Sequence, residues 1–301
     1  MEPRSKAYQQ AAGALPARLR REALSLSASD QGRVEELRLR AGWPMTARLP
    51  EGEVPLDSPP VRPEELDQLV EIASRASVHA VLDQVRQGYL TVEGGHRIGL
   101  CGTAALRDGE IHTLRRLSSA NLRIARQVMG VSAPVLDGLC PGGVLTDTLI
   151  LSPPGLGKTT LLRDIIRRVS EGEGCRSRRV ALADERGEVA ALYHGVPQLE
   201  VGRRTDVVEG CPKAQGLMLL LRAMGPQVLA ADEITAPEDV ASLRTAAGCG
   251  VTLLATAHGA DRTDLERRPV YRALLEERLF RKLVRIRPEG PGRAYTIEEL
   301  S

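Results

Sequence analysis

The stretch from Leu149 to Leu162 reads LILSPPGLGKTTLL and constrains the fold more than any other part of the chain. An apolar run, Thr148 to Leu151, leads into a Pro/Gly loop and then into apolar residues at helical spacing. This order predicts a buried strand, a loop and the start of a helix. Backbone N–H groups in such a loop point inward, and the helix dipole adds partial positive charge. The stretch therefore predicts a phosphate-binding loop.

Two side chains of this loop carry chemistry of their own. Lys158 supplies a full positive charge to the β- and γ-phosphates of a nucleotide, and the hydroxyl of Thr159 can complete the coordination of Mg²⁺. Ser152 stands where the pattern G-x-x-x-x-G-K-[ST] has its first glycine, a residue that supplies backbone freedom. A Gly-rich turn that binds nothing is the alternative. The flanking strand and helix favour a nucleotide site formed by Ser152, Pro153, Pro154, Gly155, Leu156, Gly157, Lys158, Thr159 and Thr160.

A second apolar run, Gln227 to Ala231, is followed directly by two acidic residues, Asp232 and Glu233. Asp232 is suited to hold Mg²⁺, directly or through water, and Glu233 can accept a proton from an attacking water. The alternative is a pair of exposed acids that cap the next helix near Pro237. Because the pair follows a phosphate loop and an apolar strand, we favour the catalytic interpretation.

Two further strand ends carry polar groups. In ADERGE, Glu185 or Glu188 could orient water or reach the second coordination shell of the metal, but a solvated loop with internal Arg186 pairing fits the spacing equally well. In LLATAHG, His258 lies level with the terminal phosphate, and we expect it to sense that group. An arginine is also expected to neutralise transition-state charge. The sequence does not choose among Arg203, Arg204, Arg222, Arg115, Arg116 and Arg123, and for any one of them it favours a surface ion pair.

The pattern of apolar segments along the chain changes near residue 148. Downstream of it, short apolar strands alternate with helices, which predicts an α/β fold with a mostly parallel sheet covered on both faces. Ligands of such sheets sit at the carboxyl ends of the strands. The predicted strands are Thr148 to Leu151, Arg179 to Ala183, Gln227 to Ala231 and Val251 to Ala255, and the predicted helices are Lys158 to Ser170, Lys213 to Gly225 and Pro237 to Ala247.

The first part of the chain predicts a smaller α+β domain over residues 1–126, joined by a Pro/Gly-rich linker, 127–146, to the nucleotide-binding domain, 147–301. We expect a basic helix at Leu15 to Leu26, a strand at Val34 to Arg40, a loop at Pro50 to Pro63 and a helix from Pro63. A hairpin turning at Gly94-Gly95 and a strand pair at Glu110 to Leu114 and Asn121 to Ile124 should follow. Two apolar helical stripes comprise Leu66, Leu69, Val70 and Ala73, and Val78, Val81, Leu82 and Val85.

Composition narrows the classes of function. The 41 basic and 39 acidic residues nearly cancel, and one Phe, one Trp and five Tyr leave few rings to stack on bases, so nucleic acid is an unlikely partner. The five cysteines are scattered and never in C-x-x-C spacing, which indicates neither a disulfide framework nor a zinc site and favours reduced cytosol. No apolar run reaches the ~20 residues of a membrane span. We expect any membrane role to come through a partner.

Several segments together resemble the sporulation stage III AA family, within the broad class of secretion ATPases related to type II, type IV pilus and VirB11-like motors. They are SPPGLGKTTLLRDIIR, ADERGEVA, GRRTDVVEGCPKAQGLMLLLRAMGPQVLAADEI and LLATAHG, with weaker likeness near Arg97 and in SSANLRIAR. The resemblance covers most of Thr148 to Gly259, and the long segment ending in DEI is its most specific part.

The resemblance implies a RecA-like ATPase domain with ATP and Mg²⁺ as ligands. It makes Ser152 to Thr160 a Walker A loop, Asp184 to Glu188 an acidic box, Asp232 and Glu233 a Walker B pair and His258 a histidine box. It also implies a homo-hexameric ring with ATP between subunits, serving membrane proteins of a channel that joins mother cell and forespore. Two alternatives stay open: a nucleic-acid translocase, and a nucleotide-binding scaffold with little turnover.

Overall fold

The computed structural model describes residues 3–74, 82–86, 88–290 and 292–300. The chain divides into two compact units. The first comprises the chain up to Arg126 together with Ala191–Gln198, and the second comprises Gln127–Ala190 and Leu199 onward. Residues 127–146, which the sequence assigns to a linker, thus belong to the second unit. Among the described residues, no helix combines the length and apolar character that crossing a membrane requires.

The first unit is built on an antiparallel sheet of six strands in the order β3-β2-β1-β6-β5-β4. Its core is apolar and includes the buried side chains of Tyr8, Leu37, Leu66 and Ile98. The strands are β1 (Glu36–Arg40), β2 (Thr46–Leu49), β3 (Gly52–Pro55), β4 (Tyr89–Val92), β5 (His96–Arg107) and β6 (Glu110–Arg123). The helices are α1 (Pro3–Ala12), α2 (Ala17–Leu24), α3 (Ala28–Arg33), α4 (Pro63–Ala73) and α5 (Leu82–Arg86).

Several local predictions for this unit hold. Helix α4 begins at Pro63, whose missing N–H costs nothing at the first helical position. The β4–β5 hairpin turns at Gly94 and Gly95, both with positive φ, 86° and 76°. The basic helix is two residues shorter at each end than predicted, and the first strand begins at Glu36 instead of Val34. In the second helical stripe, Val78 and Val81 lie outside the described residues.

Two predictions for this unit were wrong. The predicted loop, Pro50 to Pro63, contains the strand β3, which pairs with β2 at the edge of the sheet. The two strands predicted at Glu110 to Leu114 and Asn121 to Ile124 are one continuous strand, β6, which pairs along its length with β5. The polar residues between them suit a strand because that part of the ladder is exposed, so apolar content does not mark it.

The second unit is an α/β domain whose seven-stranded sheet has the order β11-β8-β12-β13-β7-β14-β15. Every pairing is parallel except that of β15 with β14. The elements are α6 (Ala133–Leu139), β7 (Thr148–Ser152), α7 (Lys158–Glu171), β8 (Val180–Asp184), β11 (Thr205–Glu209), α8 (Lys213–Ala223), β12 (Val228–Ala231), α9 (Pro237–Gly248), β13 (Thr252–His258), α10 (Arg262–Arg267), α11 (Pro269–Glu276), β14 (Lys282–Glu289) and β15 (Gly292–Glu299). A short hairpin of β9 (Leu192–Tyr193) and β10 (Val196–Pro197) belongs to the first unit.

The second unit confirms the predicted mostly parallel sheet. Every residue of β7, β8 and β12 is buried, as expected for strands covered by helices on both faces. Since parallel strands end at one edge, the residues that follow β7, β8, β12 and β13 come together there. This edge holds the glycine loop, the two carboxylates after β12 and the histidine that ends β13.

Candidate functional site

The loop between β7 and α7 has the backbone conformation of a phosphate-binding loop. Gly155 and Gly157 have φ of 80° and 86°, in the left-handed region that favours glycine. Gly157 directly precedes the first helical residue, Lys158. The N-terminus of a helix of 14 residues therefore opens onto the loop, with its free N–H groups and the positive end of its dipole.

Ser152 does not disturb this loop. It is the last residue of β7, fully buried, and pairs in register with His258 of β13. Its φ is not among the positive values of this chain, so the position has no need of a glycine. In the sequence pattern this position holds a glycine, which supplies backbone freedom. The structure shows instead that a residue with a side chain fits here as part of the strand.

Lys158 is a buried cation at the mouth of the loop. Its side chain is 7 % exposed, and its Nζ lies 3.4 Å from Nε2 of His258. Within the described part of the chain, no carboxylate forms an ion pair with Lys158. Burying an unpaired charge is costly, so the ammonium group requires an anion. The combination of an unpaired lysine and a helix N-terminus suits a phosphate.

A chain of oxygen atoms runs from α7 to the ends of β12 and β13. The hydroxyl of Thr159 donates to Oδ2 of Asp232 at 2.8 Å, and the hydroxyl of Thr256 donates to Oδ1 of Asp232 at 2.6 Å. A threonine hydroxyl and a carboxylate in direct contact, next to a phosphate loop, are the oxygen ligands that Mg²⁺ prefers. The donor set at Thr159 and Asp232 thus fits magnesium.

Glu233 has an unusual backbone conformation that hydrogen bonds to its N–H and to its carbonyl stabilise. Its φ is 56°, in the left-handed region that non-glycine residues rarely occupy. Its N–H donates to Oγ1 of Thr256 at 2.7 Å, and its carbonyl accepts from Nζ of Lys213 at 2.6 Å. Strain of this kind persists where surrounding contacts over-determine it, which is common at functional sites. The contacts direct the Glu233 carboxylate toward the lysine end of the loop.

The Glu233 carboxylate contacts two basic groups. Its Oε1 lies 3.1 Å from Nε2 of His258, and its Oε2 lies 3.7 Å from Nη1 of Arg186. The backbone N–H of His258 donates weakly to the hydroxyl of Tyr271, at 3.4 Å. The imidazole thereby joins Lys158 to Glu233.

The acidic segment that begins with Asp184, the last residue of β8, is held by hydrogen bonds to the Asp184 carboxylate. Asp184 accepts hydrogen bonds from the N–H groups of Glu188, Val189 and Ala190, at 2.8 to 3.0 Å. Burial raises the pKa of the Asp184 carboxyl above its ordinary value, although these donors oppose the rise. From α7, the buried Arg163 donates to the carbonyls of Val189 and Glu188 at 2.6 and 2.7 Å. Asp184 and Arg163 therefore fix the shape of this loop.

The two glutamates predicted from this segment have different surroundings. Glu188 forms an ion pair with Arg186 at 3.0 Å, which is the internal pairing that the alternative interpretation expected. Glu185 pairs with Lys213 at 3.1 Å, and Lys213 also holds the Glu233 carbonyl. Both glutamates are thus connected to Glu233 through one basic residue each. Their catalytic roles stay predictions.

Three residues that contact the site were not found from the sequence. Thr256 is a polar residue in a buried strand. Lys213 is a buried cation at the start of a helix, where the dipole disfavours it. Both signals are present in the sequence. Arg293 lies next to the loop, with Nη1 2.1 Å from the position that a Cβ on Gly157 would occupy. No local pattern marks it. Of the arginines that were considered, Arg203 pairs with Glu171 at 2.8 Å.

Comparison with known proteins relates the whole chain to one family. The sequence profile of the family "Sporulation stage III, protein AA" matches residues 5–299. Stage III sporulation protein AA of Bacillus subtilis (strain 168) is 38% identical over 261 residues, covering 86% of this chain and 84% of that protein. A more distant relative, Protein SEEDLING PLASTID DEVELOPMENT 1 of Arabidopsis thaliana, is 27% identical and covers 87% of this chain but 35% of its own length.

Solved structures share the fold. The ATPase DotB of Legionella pneumophila superposes with a TM-score of 0.57 at 15% identity, over 88% of this chain and 76% of DotB. The pilus retraction motor PilT, with bound ADP, has a TM-score of 0.58 at 18% identity, over 89% of this chain and 80% of PilT. These similarities establish the P-loop fold of the secretion ATPases. The profile match over residues 5–299 and the 38% identical relative show that the chain belongs to the sporulation stage III protein AA family.

Proposed function

We propose that this protein is a Mg²⁺-dependent ATP hydrolase. The observation that carries the proposal is Lys158, a buried cation without a carboxylate partner among the described residues, at the N-terminus of α7. A triphosphate supplies the anion that this position requires. PilT, which shares the fold, holds ADP in its solved structure. ATP is therefore the ligand that we assign to residues Ser152 to Thr160.

Each side chain has a role in this proposal. Lys158 and the N–H groups of the loop bind the phosphates, while Thr159 and Asp232 hold Mg²⁺. When bound, Mg²⁺ neutralises charge that develops on the phosphate oxygens. Glu233 accepts a proton from the attacking water, and His258, in contact with both Lys158 and Glu233, senses whether the terminal phosphate is present. Glu185 and Glu188 act indirectly, through their basic partners.

Phosphate release by the purified protein tests the chemistry. Glu233→Gln removes the proton acceptor, so we expect turnover to fall by roughly 100-fold or more while ATP still binds. Lys158→Ala removes the phosphate ligand, and both binding and turnover should be lost. Glu276→Gln, on the exposed side of α11, is the matched control and should hydrolyse ATP like the wild type. Normal turnover in Glu233→Gln would refute the assignment.

At the level of the assembly, we propose a homo-hexameric ring that works in the cytoplasm, beside the membrane. There it energises assembly of, or transport through, the sporulation channel between mother cell and forespore, in contact with the membrane proteins of that complex. Membership of the family and the shared fold of the motor PilT support this proposal. A measurement of oligomeric mass with and without ATP tests it, since a monomer under both conditions would contradict the ring.

Two other functions predict different results. A nucleic-acid translocase predicts salt-sensitive binding to single strands with stimulated hydrolysis, although the near-neutral charge and seven aromatic Phe, Trp and Tyr residues argue against it. A nucleotide-binding scaffold predicts normal sporulation in cells that carry Glu233→Gln.

A further inference from the structure

The last two strands of the chain reach beyond the sheet edge at which the phosphate loop lies. Strand β14 pairs with β7 up to Arg285, which lies opposite Leu151. From there it continues with β15 alone, as far as the pair of Glu289 and Gly292. Because β14 runs parallel to β7, this extension rises on the same side as the glycine loop. The β14–β15 hairpin therefore stands next to the nucleotide site.

One arginine of this hairpin points at the loop. Measured from the position of a Cβ built on Gly157, Nη1 of Arg293 lies at 2.1 Å and Cζ at 2.9 Å. Gly157 directly precedes Lys158, and the N–H groups on either side of it are those that a phosphate would accept from. The guanidinium thus occupies the surface of the loop that a nucleotide would approach.

The charges around Arg293 favour an anionic ligand. Across the described chain, Arg293 has no ion pair with a carboxylate, and it is solvent-exposed. It lies against Gly157 at the positive end of the α7 dipole, and Gly157 directly precedes Lys158. Positive charge near a helix N-terminus is unfavourable, and here two cations share that position. An anion placed between them converts repulsion into attraction, and a guanidinium is the side chain best shaped to bind phosphate oxygens.

We propose that Arg293 is a nucleotide-contacting residue, which donates hydrogen bonds to the phosphate chain of the nucleotide bound by Ser152 to Thr160. The proposal rests on the proposed nucleotide site and adds a second cation to it, supplied by the same chain.

The hairpin contains a matched control. Arg293 lies opposite Pro288 on β14, whereas Arg287 lies opposite Ala294. Because side chains alternate along a strand, Arg287 projects from the other face of the hairpin. Arg287 is exposed like Arg293. Replacement of either arginine removes one positive charge from the same hairpin, but only one of the two lies at the loop.

Calorimetric titration of ADP into four forms of the full chain tests the proposal. We expect Arg293→Ala to bind ADP roughly 10- to 100-fold more weakly than the wild type, the range for loss of a charge-assisted hydrogen bond. The ADP affinity of Arg293→Lys should lie between those of the wild type and Arg293→Ala, since lysine keeps the charge but loses the planar guanidinium. Arg287→Ala should bind like the wild type. Without nucleotide, none of the three variants should unfold at a lower temperature than the wild type, which separates a binding role from a structural one.

The outcomes are distinguishable. If the wild type itself binds no ADP, the nucleotide site fails and the role of Arg293 fails with it. If the wild type binds and Arg293→Ala binds equally well, only the role of Arg293 is refuted. Tighter binding by Arg293→Ala would show that the guanidinium obstructs the loop, and equal weakening by Arg287→Ala would show a general effect of charge. Either result would overturn the proposal.

Discussion

At the scale of single residues, the site depends on how the backbone of Glu233 is held. A left-handed conformation costs a non-glycine residue roughly 1–3 kcal/mol unless its surroundings fix it. Thr256 and Lys213 provide the fixing contacts, one to the N–H and one to the carbonyl. Thr256 also donates to Asp232, so one hydroxyl orients both carboxylate-bearing residues. Thr256 is therefore a positioning residue that acts through Asp232 and Glu233.

This role predicts the effect of Thr256→Val, which keeps the shape of the side chain and removes the hydroxyl. The N–H of Glu233 and one oxygen of Asp232 lose a partner, so unfolding free energy should fall by about 1–3 kcal/mol. Turnover at saturating ATP should fall roughly 10- to 100-fold, while ATP affinity changes little. Steady-state phosphate release and chemical denaturation measure the two effects.

Thr245→Val is the matched control for that experiment. The hydroxyl of Thr245 donates to the carbonyl of Ala241 on the exposed side of α9, at 3.0 Å. Loss of that bond removes a partner from a carbonyl that is already bonded within the helix, so turnover should stay unchanged. Equal turnover in Thr256→Val and the wild type would remove Thr256 from the account.

The sequence predicts roles for the carboxylates of Asp232 and Glu233, because acids that follow an apolar strand are conspicuous, but it does not predict which residues contact them. Thr256 and Lys213 carry signals in the sequence, but their place beside the site, like that of Arg293, follows from the order of strands in the sheet, which spacing along the chain does not encode. Ser152 departs from the sequence pattern, and its strand backbone, without a positive φ, does not require the glycine of that pattern.

At the scale of elements, burial decided which strands could be predicted. The strands β7, β8 and β12 are buried throughout, and their continuous apolar runs were recognised. The strands β11, β14 and β15 were not predicted. They lie toward the two edges of the sheet, where half-exposed positions admit charged residues. Apolar content therefore identifies the middle of a parallel sheet and misses its edges.

The β4–β5 hairpin of the first unit contains a buried histidine that should make stability depend on pH. His96 begins β5 and is 1 % exposed, and its Nδ1 accepts from the N–H of Ala125 at 3.0 Å. Burial lowers the pKa of His96 from 6.5 to about 4, with the charge of Arg126 adding to the effect. The folded protein thus holds His96 neutral in conditions where the unfolded chain would protonate it.

The sign of the pH effect follows from the lowered pKa. Between pH 6.5 and about 4 the unfolded state binds more protons, so stability falls as pH falls through that window. From pH 7 to pH 5 the loss should be about 2 kcal/mol. Urea unfolding followed by the fluorescence of Trp43, the single tryptophan, reports on this unit.

His96→Asn supplies the comparison, because its side-chain oxygen can accept from Ala125 and does not titrate. Over the same change of pH, the unfolding free energy of the variant should fall by about 2 kcal/mol less than that of the wild type, whatever its value at pH 7. Parallel pH profiles for the two proteins would show that His96 is not the group responsible.

At the scale of the whole molecule, each of the two units has its own apolar core. Residues 127–146 illustrate why the boundary between units is hard to read from composition. Proline and glycine in this stretch indicate turns, but α6 lies within it and buries Val135, Leu136 and Leu139 in the second unit. The return of Ala191–Gln198 to the first unit has no signal in the sequence at all.

The account of the whole molecule depends on one claim, that Lys158 and the glycine loop hold the phosphates of ATP. Titration calorimetry with Mg²⁺ and ATP tests that claim directly. The wild type should bind one nucleotide per chain, Lys158→Ala should bind roughly 100-fold more weakly or not at all, and Lys6→Ala, on the exposed face of α1, should bind normally. No heat of binding from folded wild-type protein, or equal affinity in Lys158→Ala, would contradict it.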